Sequence, residues 1–501
     1  MKKILYCLIS ILIMSSCKND VMELLNPNEI TTQTFWKTES DALSALAACY
    51  SQLTVPEMWG DRGILIYNGR GDDFFIRNDM QQVYQASAFT NIPDNKEIAG
   101  LFSAAYRLIF MANQILDNIS QIPNLSDEKI KAISGEAKFL RGLSYFTLVN
   151  NFGDVPLHLS VPKTKEDYFL KQSTQVEVWN QIKKDFKDAS ESLPIVYDAA
   201  NVGRATKGAA LAFLGKAYVY TKDWDAAIVS LLPLTKSPYS YTLVDNFGDN
   251  FTIAGENNKE SIFAVQFKDE PSALYNANKA EQMFAPAEVK GWFEAFPTNK
   301  LFEAFQKEKT IDGKLDPRMY ATLVWNYEGA IFYNKPFSTF STPFPQFIAM
   351  FKKYQNYYLN NEVLGSKGTV THSENDKRIM RYDYVLLMLA ESYTQKNQMD
   401  GTTGANFYLS QIRKRANLDV TKTIPFNQTQ MIEEIHHQYM LEFAREEQRF
   451  YDLRRWGLLK EEIVNSDKEG KEFYVTGKSD YFPIPQAEIN SNPLIKQNSN
   501  W

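Results

Sequence analysis

Cysteine and histidine are scarce in this sequence, and basic residues are not in excess. Its 501 residues include 3 cysteines and 4 histidines, and 54 basic against 60 acidic residues give a formal net charge of −6. This balance offers no attraction to nucleic acid or to anionic lipid headgroups. His436 and His437 are adjacent, so on a helix they point about 100° apart and do not chelate one metal. We therefore predict no metal and no cofactor.

The sequence also lacks the short motifs of common enzymes. It contains no G-x-S-x-G, P-loop or H-E-x-x-H pattern. The acidic pair Asp72 and Asp73 does not by adjacency provide the spacing that two carboxylates need across a sugar ring. Residues 245–250 could offer oxygen ligands to calcium but lack the EF-hand order, so a turn is expected there. We expect a protein that is not an enzyme.

The N-terminus has the layout of an export signal. Two lysines precede an apolar run that is too short for a permanent membrane span. Ser15 and Ser16 then lead to Cys17, as in a bacterial lipobox, although Met14 replaces the usual leucine. We predict a signal peptide over residues 1–16, acylation of Cys17 and a lipidated tether over residues 17–30. Cys49 would then be left without a disulfide partner.

Apolar residues at helical spacing predict a mainly α protein. The expected helices cover residues 41–53, 97–119, 126–150, 176–193, 378–395, 406–415 and 430–447. Gly215 and Tyr218, followed by Ala227 and Leu231, match the small, aromatic and alanine positions of a tetratricopeptide helix pair. We therefore predict a scaffold of such pairs, in which small residues let two helices cross closely.

A long loop-rich stretch interrupts the helical pattern. Residues from about 239 to 368 are rich in Pro, Gly, Asn and aromatic residues, with short strand-like runs such as 261–267. Long structured loops in a compact protein usually carry function. The predicted layout is a helical region over 31–240, an insertion over 241–377 and a helical region over 378–501, in one globular unit. The tail after Tyr481 is expected to be extended.

Four sequence blocks stand out along the chain. They are EAKFLRGLSYF with FGDVPL (136–157), RYDYVLLMLAESY (381–393), EFAREEQRFYDLRRW (442–456) and FPIPQ with NPL (482–494), and DPR at 316–318 adds a smaller one. Together they resemble the SusD/RagB family of outer-membrane glycan-binding lipoproteins from Bacteroidetes. The charges of the third block also have a structural interpretation, because Arg–carboxylate pairs at this spacing can lock the last helices together.

The resemblance implies a role in nutrient uptake. Members sit on the outer membrane facing the cell exterior, bind oligosaccharide without cleaving it and cap a TonB-dependent transporter of the SusC kind. The alternatives are a peptide or other nutrient as ligand, an adaptor that holds the transporter without its own ligand, and a glycoside hydrolase. The hydrolase would need an acid and a base across a pocket.

Sugar sites in this family combine an arc of aromatic rings with a few polar side chains, from an early loop and the central insertion. Rings stack on sugar C–H faces, and polar side chains bind the hydroxyls. By region and chemistry, the candidate ligand-binding residues are Trp59, Tyr67, Arg70, Asp72, Asp73 and Tyr84 in the early loop and Trp292, Trp325, Tyr327 and Tyr333 in the insertion.

Overall fold

The computed structural model describes residues 35–268, 278–340, 348–358 and 373–501. The predicted signal peptide, Cys17 and the predicted tether lie outside these ranges. Within them the chain forms 18 α-helices. They are α1 Glu39–Gln52, α2 Arg62–Gly69, α3 Gln81–Ser87, α4 Lys96–Asn118, α5 Asp127–Phe152, α6 Lys165–Tyr168, α7 Gln175–Ser192, α8 Lys207–Tyr220, α9 Trp224–Leu231, α10 Ala280–Phe284, α11 Asn299–Gln306, α12 Pro317–Thr322, α13 Tyr382–Gln395, α14 Ala405–Arg415, α15 Gln428–Phe443, α16 Arg449–Trp456, α17 Leu459–Val464 and α18 Gln486–Ser491.

Packing between successive long helices builds the scaffold. Helix α5 packs on α4 and α7, α8 packs on α7 and α9, and α13 packs on α9, α14 and α15. A Cβ atom on Gly215 would lie 2.4 Å from the Leu231 side chain, so any larger residue would displace that side chain from its place between α8 and α9. The predicted mainly helical fold and the tetratricopeptide-like pair over residues 207–234 are confirmed.

Local signals also place helix starts correctly. Ser126 is the N-cap of α5, and its hydroxyl accepts a hydrogen bond from the backbone N–H of Lys129. One helical stretch among the described residues, Lys96–Gln121, is long and apolar enough to cross a bilayer by length and composition, and 56% of its apolar window is buried inside the fold.

The strands of the described ranges form four two-stranded antiparallel sheets. The pairs are β1 Phe74–Ile76 with β3 Ala295–Pro297, β2 Ser261–Val265 with β8 Lys377–Arg381, β4 Leu323–Trp325 with β7 Ala349–Phe351, and β5 Ile331–Phe332 with β6 Lys335–Pro336. The first pair aligns Phe75 with Phe296 and so joins the early loop to the insertion.

Three predicted boundaries were wrong. The helix expected from residue 378 begins at Tyr382, because residues 377–381 pair with β2 instead. The helix expected to reach residue 447 ends at Phe443, and Arg445 and Glu447 have φ of 63° and 61°, which stop helical propagation. The tail expected to be extended contains α18, which starts directly after Pro485 at its N-cap position.

Candidate functional site

A buried network of charges connects the C-terminal block to the rest of the molecule. Glu442 bonds the Arg318 guanidinium at 2.7 Å and also pairs with Arg415. Glu446 accepts two hydrogen bonds of 2.8 Å from Arg381 and pairs with Lys353 at 2.8 Å. The predicted network therefore exists, but these partners lie in the insertion and in α14 and β8, outside the block itself. The charge network is therefore structural and holds the insertion against the helices.

The predicted early loop, residues 59–84, is not a loop in the structure, which folds it into α2, β1 and the start of α3. Three of its candidate residues belong to this buried scaffold. Both carboxylate oxygens of Asp72 accept hydrogen bonds from Arg449, at 2.7 and 2.9 Å, and Lys300 pairs with Asp72 at 2.7 Å. Burial raises the pKa of Asp72, but these two cations outweigh burial and hold that pKa well below its usual range. Burial beside Asp72 raises the pKa of Asp73 to about 7. Arg70 lies between the Phe450 and Phe482 rings and donates to the Ser479 carbonyl at 2.7 Å.

The other early-loop candidates divide between the core and the surface. Trp59 and Tyr67 are buried in mutual contact, with ring centroids 6.0 Å apart, and both line a small pocket of about 50 Å³. Trp59 lies in the π-helical turn Pro56–Gly60. Tyr84 is half-buried and donates to Glu469 at 2.8 Å.

Tyr333 is buried within the insertion. Its hydroxyl is bonded to Glu281 at 2.9 Å and to Gln355 at 2.8 Å, which fixes the ring among core aromatics. The structure therefore brings Arg70, Asp72, Asp73 and Tyr333 into contact with protein partners, away from solvent.

Trp325 and Tyr327 form an aromatic surface together with Tyr320, a residue that the sequence reasoning missed. The ring centroids lie 4.6 Å apart for Trp325–Tyr327, 5.1 Å for Tyr320–Trp325 and 5.4 Å for Tyr320–Tyr327. Tyr320 is 37% exposed, Tyr327 is half-buried and Trp325 is 9% exposed, supported from below by Phe302. Strand β4 and helix α12 position the three rings. We call this set the aromatic surface.

A second exposed ring lies where the early loop meets the insertion. Trp292 is 44% exposed, and its carbonyl accepts a hydrogen bond of 3.0 Å from Arg77, which follows β1 directly. Arg77 also forms an ion pair with Asp79. Sequence reasoning missed Arg77 and Asp79, although a charged pair directly after the apolar strand FFI was an available signal.

The described surface of the insertion offers aromatic rings and hydrogen-bonding groups. Among the described residues, no group of three or more His, Cys, Asp or Glu side chains is placed to hold a metal ion. The arrangement suits a ligand that presents flat C–H faces and hydroxyls.

Comparison with known proteins identifies the fold and the protein family. A family model described as "SusD family" matches residues 259–501, and one described as "Starch-binding associating with outer membrane" matches residues 63–219. The crystal structure of a SusD superfamily protein from Bacteroides vulgatus is 35% identical, with a TM-score of 0.84, over 93% of this chain and 100% of that one. The chain belongs to the SusD family.

Other SusD relatives match over similar lengths. SusD-like protein P25 of Formosa agariphila is 27% identical over 93% of this chain and 92% of its own length. Surface glycan-binding protein A from Bacteroides thetaiotaomicron, solved in complex with laminarihexaose, shares the fold with a TM-score of 0.77 at 22% identity, over 92% of this chain and 100% of that one. The resemblance inferred from the four sequence blocks is confirmed.

Proposed function

We propose that this protein binds an oligosaccharide or polysaccharide at the cell surface without cleaving it. The observation that carries the proposal is the aromatic surface. Its three ring centroids lie within 5.4 Å of one another, and two of the rings are partly exposed to solvent. The SusD relative solved with laminarihexaose supports a glycan as the class of ligand. Of the predicted ligand-binding residues, we retain Trp325 and Tyr327 and add Tyr320, with Trp292 and Arg77 as a second contact region.

Stacking on this surface would be shallow. The rings of Trp325 and Tyr327 are tilted by 49° to each other, so a sugar chain would follow a bent path across them. Each aromatic contact contributes on the order of 1 kcal/mol, and ordering a flexible glycan costs part of that. We therefore expect weak affinity that depends on several rings at once.

The decisive experiment compares two matched sets of tyrosines. The double variant Tyr320→Ala/Tyr327→Ala should lose most binding to a retained polysaccharide in affinity electrophoresis. Tyr168→Ala removes a ring that is 59% exposed on helix α6, which contributes no residue to the aromatic surface, and should bind like the parent protein. Unchanged retention of the double variant across a polysaccharide panel would contradict the proposed site, and release of reducing ends by the parent protein would contradict the non-enzymatic role.

We further propose that acylated Cys17 holds the protein on the outer membrane, beside a SusC-like TonB-dependent transporter that receives the glycan. The family-model description names association with the outer membrane. Each buried CH₂ of an acyl chain contributes about 0.8 kcal/mol, and more than one chain gives stable anchoring. A tether also raises the local concentration of the protein at its partner.

The anchor can be tested separately from the ligand site. Cys17→Ala should leave glycan binding by the purified protein unchanged and reduce glycan uptake by cells. Uptake at the parental rate, with the variant released from the membrane, would count against the role of the anchor.

A further inference from the structure

The small pocket lined by Trp59 and Tyr67 lies where four segments of the chain meet. Besides these residues from the early loop, it is lined by Asn151 at the end of α5, Lys216 on α8 and Gln448 in the C-terminal block. Its volume is about 50 Å³. Because one water molecule needs roughly 10–15 Å³, the pocket has room for a small ion together with water. We call it the Lys216 pocket.

Lys216 is a buried cation without a carboxylate partner. The residue is 2% exposed, and it forms no ion pair with any residue that the structure describes. Its ammonium donates a hydrogen bond of 2.6 Å to Oε1 of Gln448 and lies 4.5 Å from the centre of the Tyr384 ring. An ammonium has three N–H donors, so most of its hydrogen-bonding capacity meets no charged acceptor. Burying a charge in this way is costly unless something compensates it.

The carboxylates whose charges act on Lys216 are paired with other cations. Burial lowers the pKa of Lys216 to about 7, and Asp452 and Glu447 oppose this shift only in part. Asp452 accepts a hydrogen bond of 2.7 Å from Arg455. Glu447, which also lines the pocket, pairs with Lys377 at 2.8 Å. The positive charge of Lys216 is therefore in excess at the pocket.

Several other groups of the pocket are hydrogen-bond donors. The Tyr67 hydroxyl is buried and has no hydrogen-bond partner among the described residues. The amides of Asn150 and Asn151 each donate one N–H at 2.9 Å to a carbonyl of α5, and each keeps a second N–H. Their Oδ1 atoms already accept hydrogen bonds, from Arg454 at 2.9 Å and from Tyr451 at 2.8 Å. Donors beside an unpaired ammonium suit an anion, which only accepts, better than water, which must also donate.

We propose that the Lys216 pocket binds a small monovalent anion such as chloride, held by the Lys216 ammonium and the Tyr67 hydroxyl. The anion would join the early loop, the helical scaffold and the C-terminal block, and it would stabilise the folded protein because the unfolded chain has no such site. This role is separate from glycan binding. In chloride-free buffer the Tyr67 hydroxyl has no partner, so there Tyr67→Phe should leave the protein at least as stable as the parent.

The test measures urea unfolding of the purified protein in two sodium salts, the chloride and the gluconate. Equal ionic strength keeps the screening of surface charges the same, and gluconate is too large for the pocket. Chloride should raise the ratio of folded to unfolded protein. With a dissociation constant of about 10 mM, about 100 mM chloride would raise that ratio about tenfold.

Matched lysine variants assign the chloride effect to the pocket. Lys216→Met removes the charge from a side chain of similar length and should abolish the difference between the two salts. Lys183→Met is the control, because Lys183 on α7 also lies over a tyrosine ring, 5.6 Å from the centre of Tyr218, but does not line the pocket. This control should keep the full chloride effect.

Crystals of the parent protein soaked in sodium bromide give a second measurement that needs no variant to fold. An anomalous bromide peak is expected within hydrogen-bond distance of the Lys216 ammonium. The inference is overturned if no peak appears there, or if the parent protein unfolds identically in chloride and gluconate. A peak without any chloride effect on stability would be an adventitious ion only and would also overturn it, as would a chloride effect that Lys216→Met retains.

Discussion

The early loop and the central insertion have similar compositions but differ in which of their candidate residues reach solvent. Both contain aromatic rings beside charged side chains, and both were predicted to contribute to a sugar site. In the early loop, Asp72 and Arg70 are buried beneath residues of the C-terminal segment, while in the insertion Tyr320, Tyr327 and Trp292 reach solvent. Composition therefore identifies which side chains could bind a sugar, and distant partners decide which of them are free to do so.

The largest effect that would sharpen this contrast is expected at Asp72. Asp72→Ala leaves the Arg449 and Lys300 cations without their buried carboxylate. Breaking such a buried pair costs about 3–5 kcal/mol, so the free energy of unfolding in urea should fall by that order. Glycan binding by the protein that remains folded should be unchanged.

A carboxylate of the same loop provides the control. Asp79 forms an ion pair with Arg77, and its side chain is 46% exposed. Asp79→Ala should cost less than about 1 kcal/mol, because an ion pair open to solvent contributes little. Equal losses for the two variants would mean that the early loop is not locked by buried charge.

The second prediction concerns pH, because the pKa values of two buried carboxylates, Asp72 in the early loop and Glu281 in the insertion, are shifted in opposite directions. Asp72 pairs with cations, which lower its pKa in the folded protein. Its contribution to the free energy of unfolding is therefore present above its ordinary pKa of 3.8 and is lost as the pH falls below that value. Glu281, in the insertion, accepts hydrogen bonds from the neutral donors Tyr333 and Asn356. Its burial raises the pKa from 4.5 to about 7, and these bonds and the nearby Arg445 oppose the shift only in part.

The sign for Glu281 follows from proton counting. Between about pH 4.5 and 7 the folded protein keeps this proton and the unfolded chain releases it, so stability should decrease as the pH rises. One group changes the free energy of unfolding by at most about 1.4 kcal/mol per pH unit. Glu281→Gln should flatten this decline when unfolding is measured by urea titration across the range. An unchanged slope in the variant would assign the decline to other groups.

The helical scaffold was predictable from sequence because its determinants are local. The Ser126 cap acts within three residues, and Gly215 and Leu231 belong to one helix pair. The site was less predictable because its exposure depends on contacts such as Arg449–Asp72, which spans 377 positions.

The smallest expected effect tests whether the buried aromatic rings of the early loop take no part in glycan binding. The Tyr67 hydroxyl is buried and has no hydrogen-bond partner among the described residues. Tyr67→Phe removes a polar group that costs desolvation without an intramolecular hydrogen bond, so stability should change by less than about 1 kcal/mol, toward a more stable protein. Glycan affinity should equal that of the parent protein in affinity electrophoresis, whereas Tyr327→Phe, at the aromatic surface, removes a hydroxyl that a sugar can reach and should weaken it. If Tyr67→Phe lost glycan affinity at unchanged stability, the early loop would contribute to the binding site. The early loop and the insertion would then no longer differ in their role in binding.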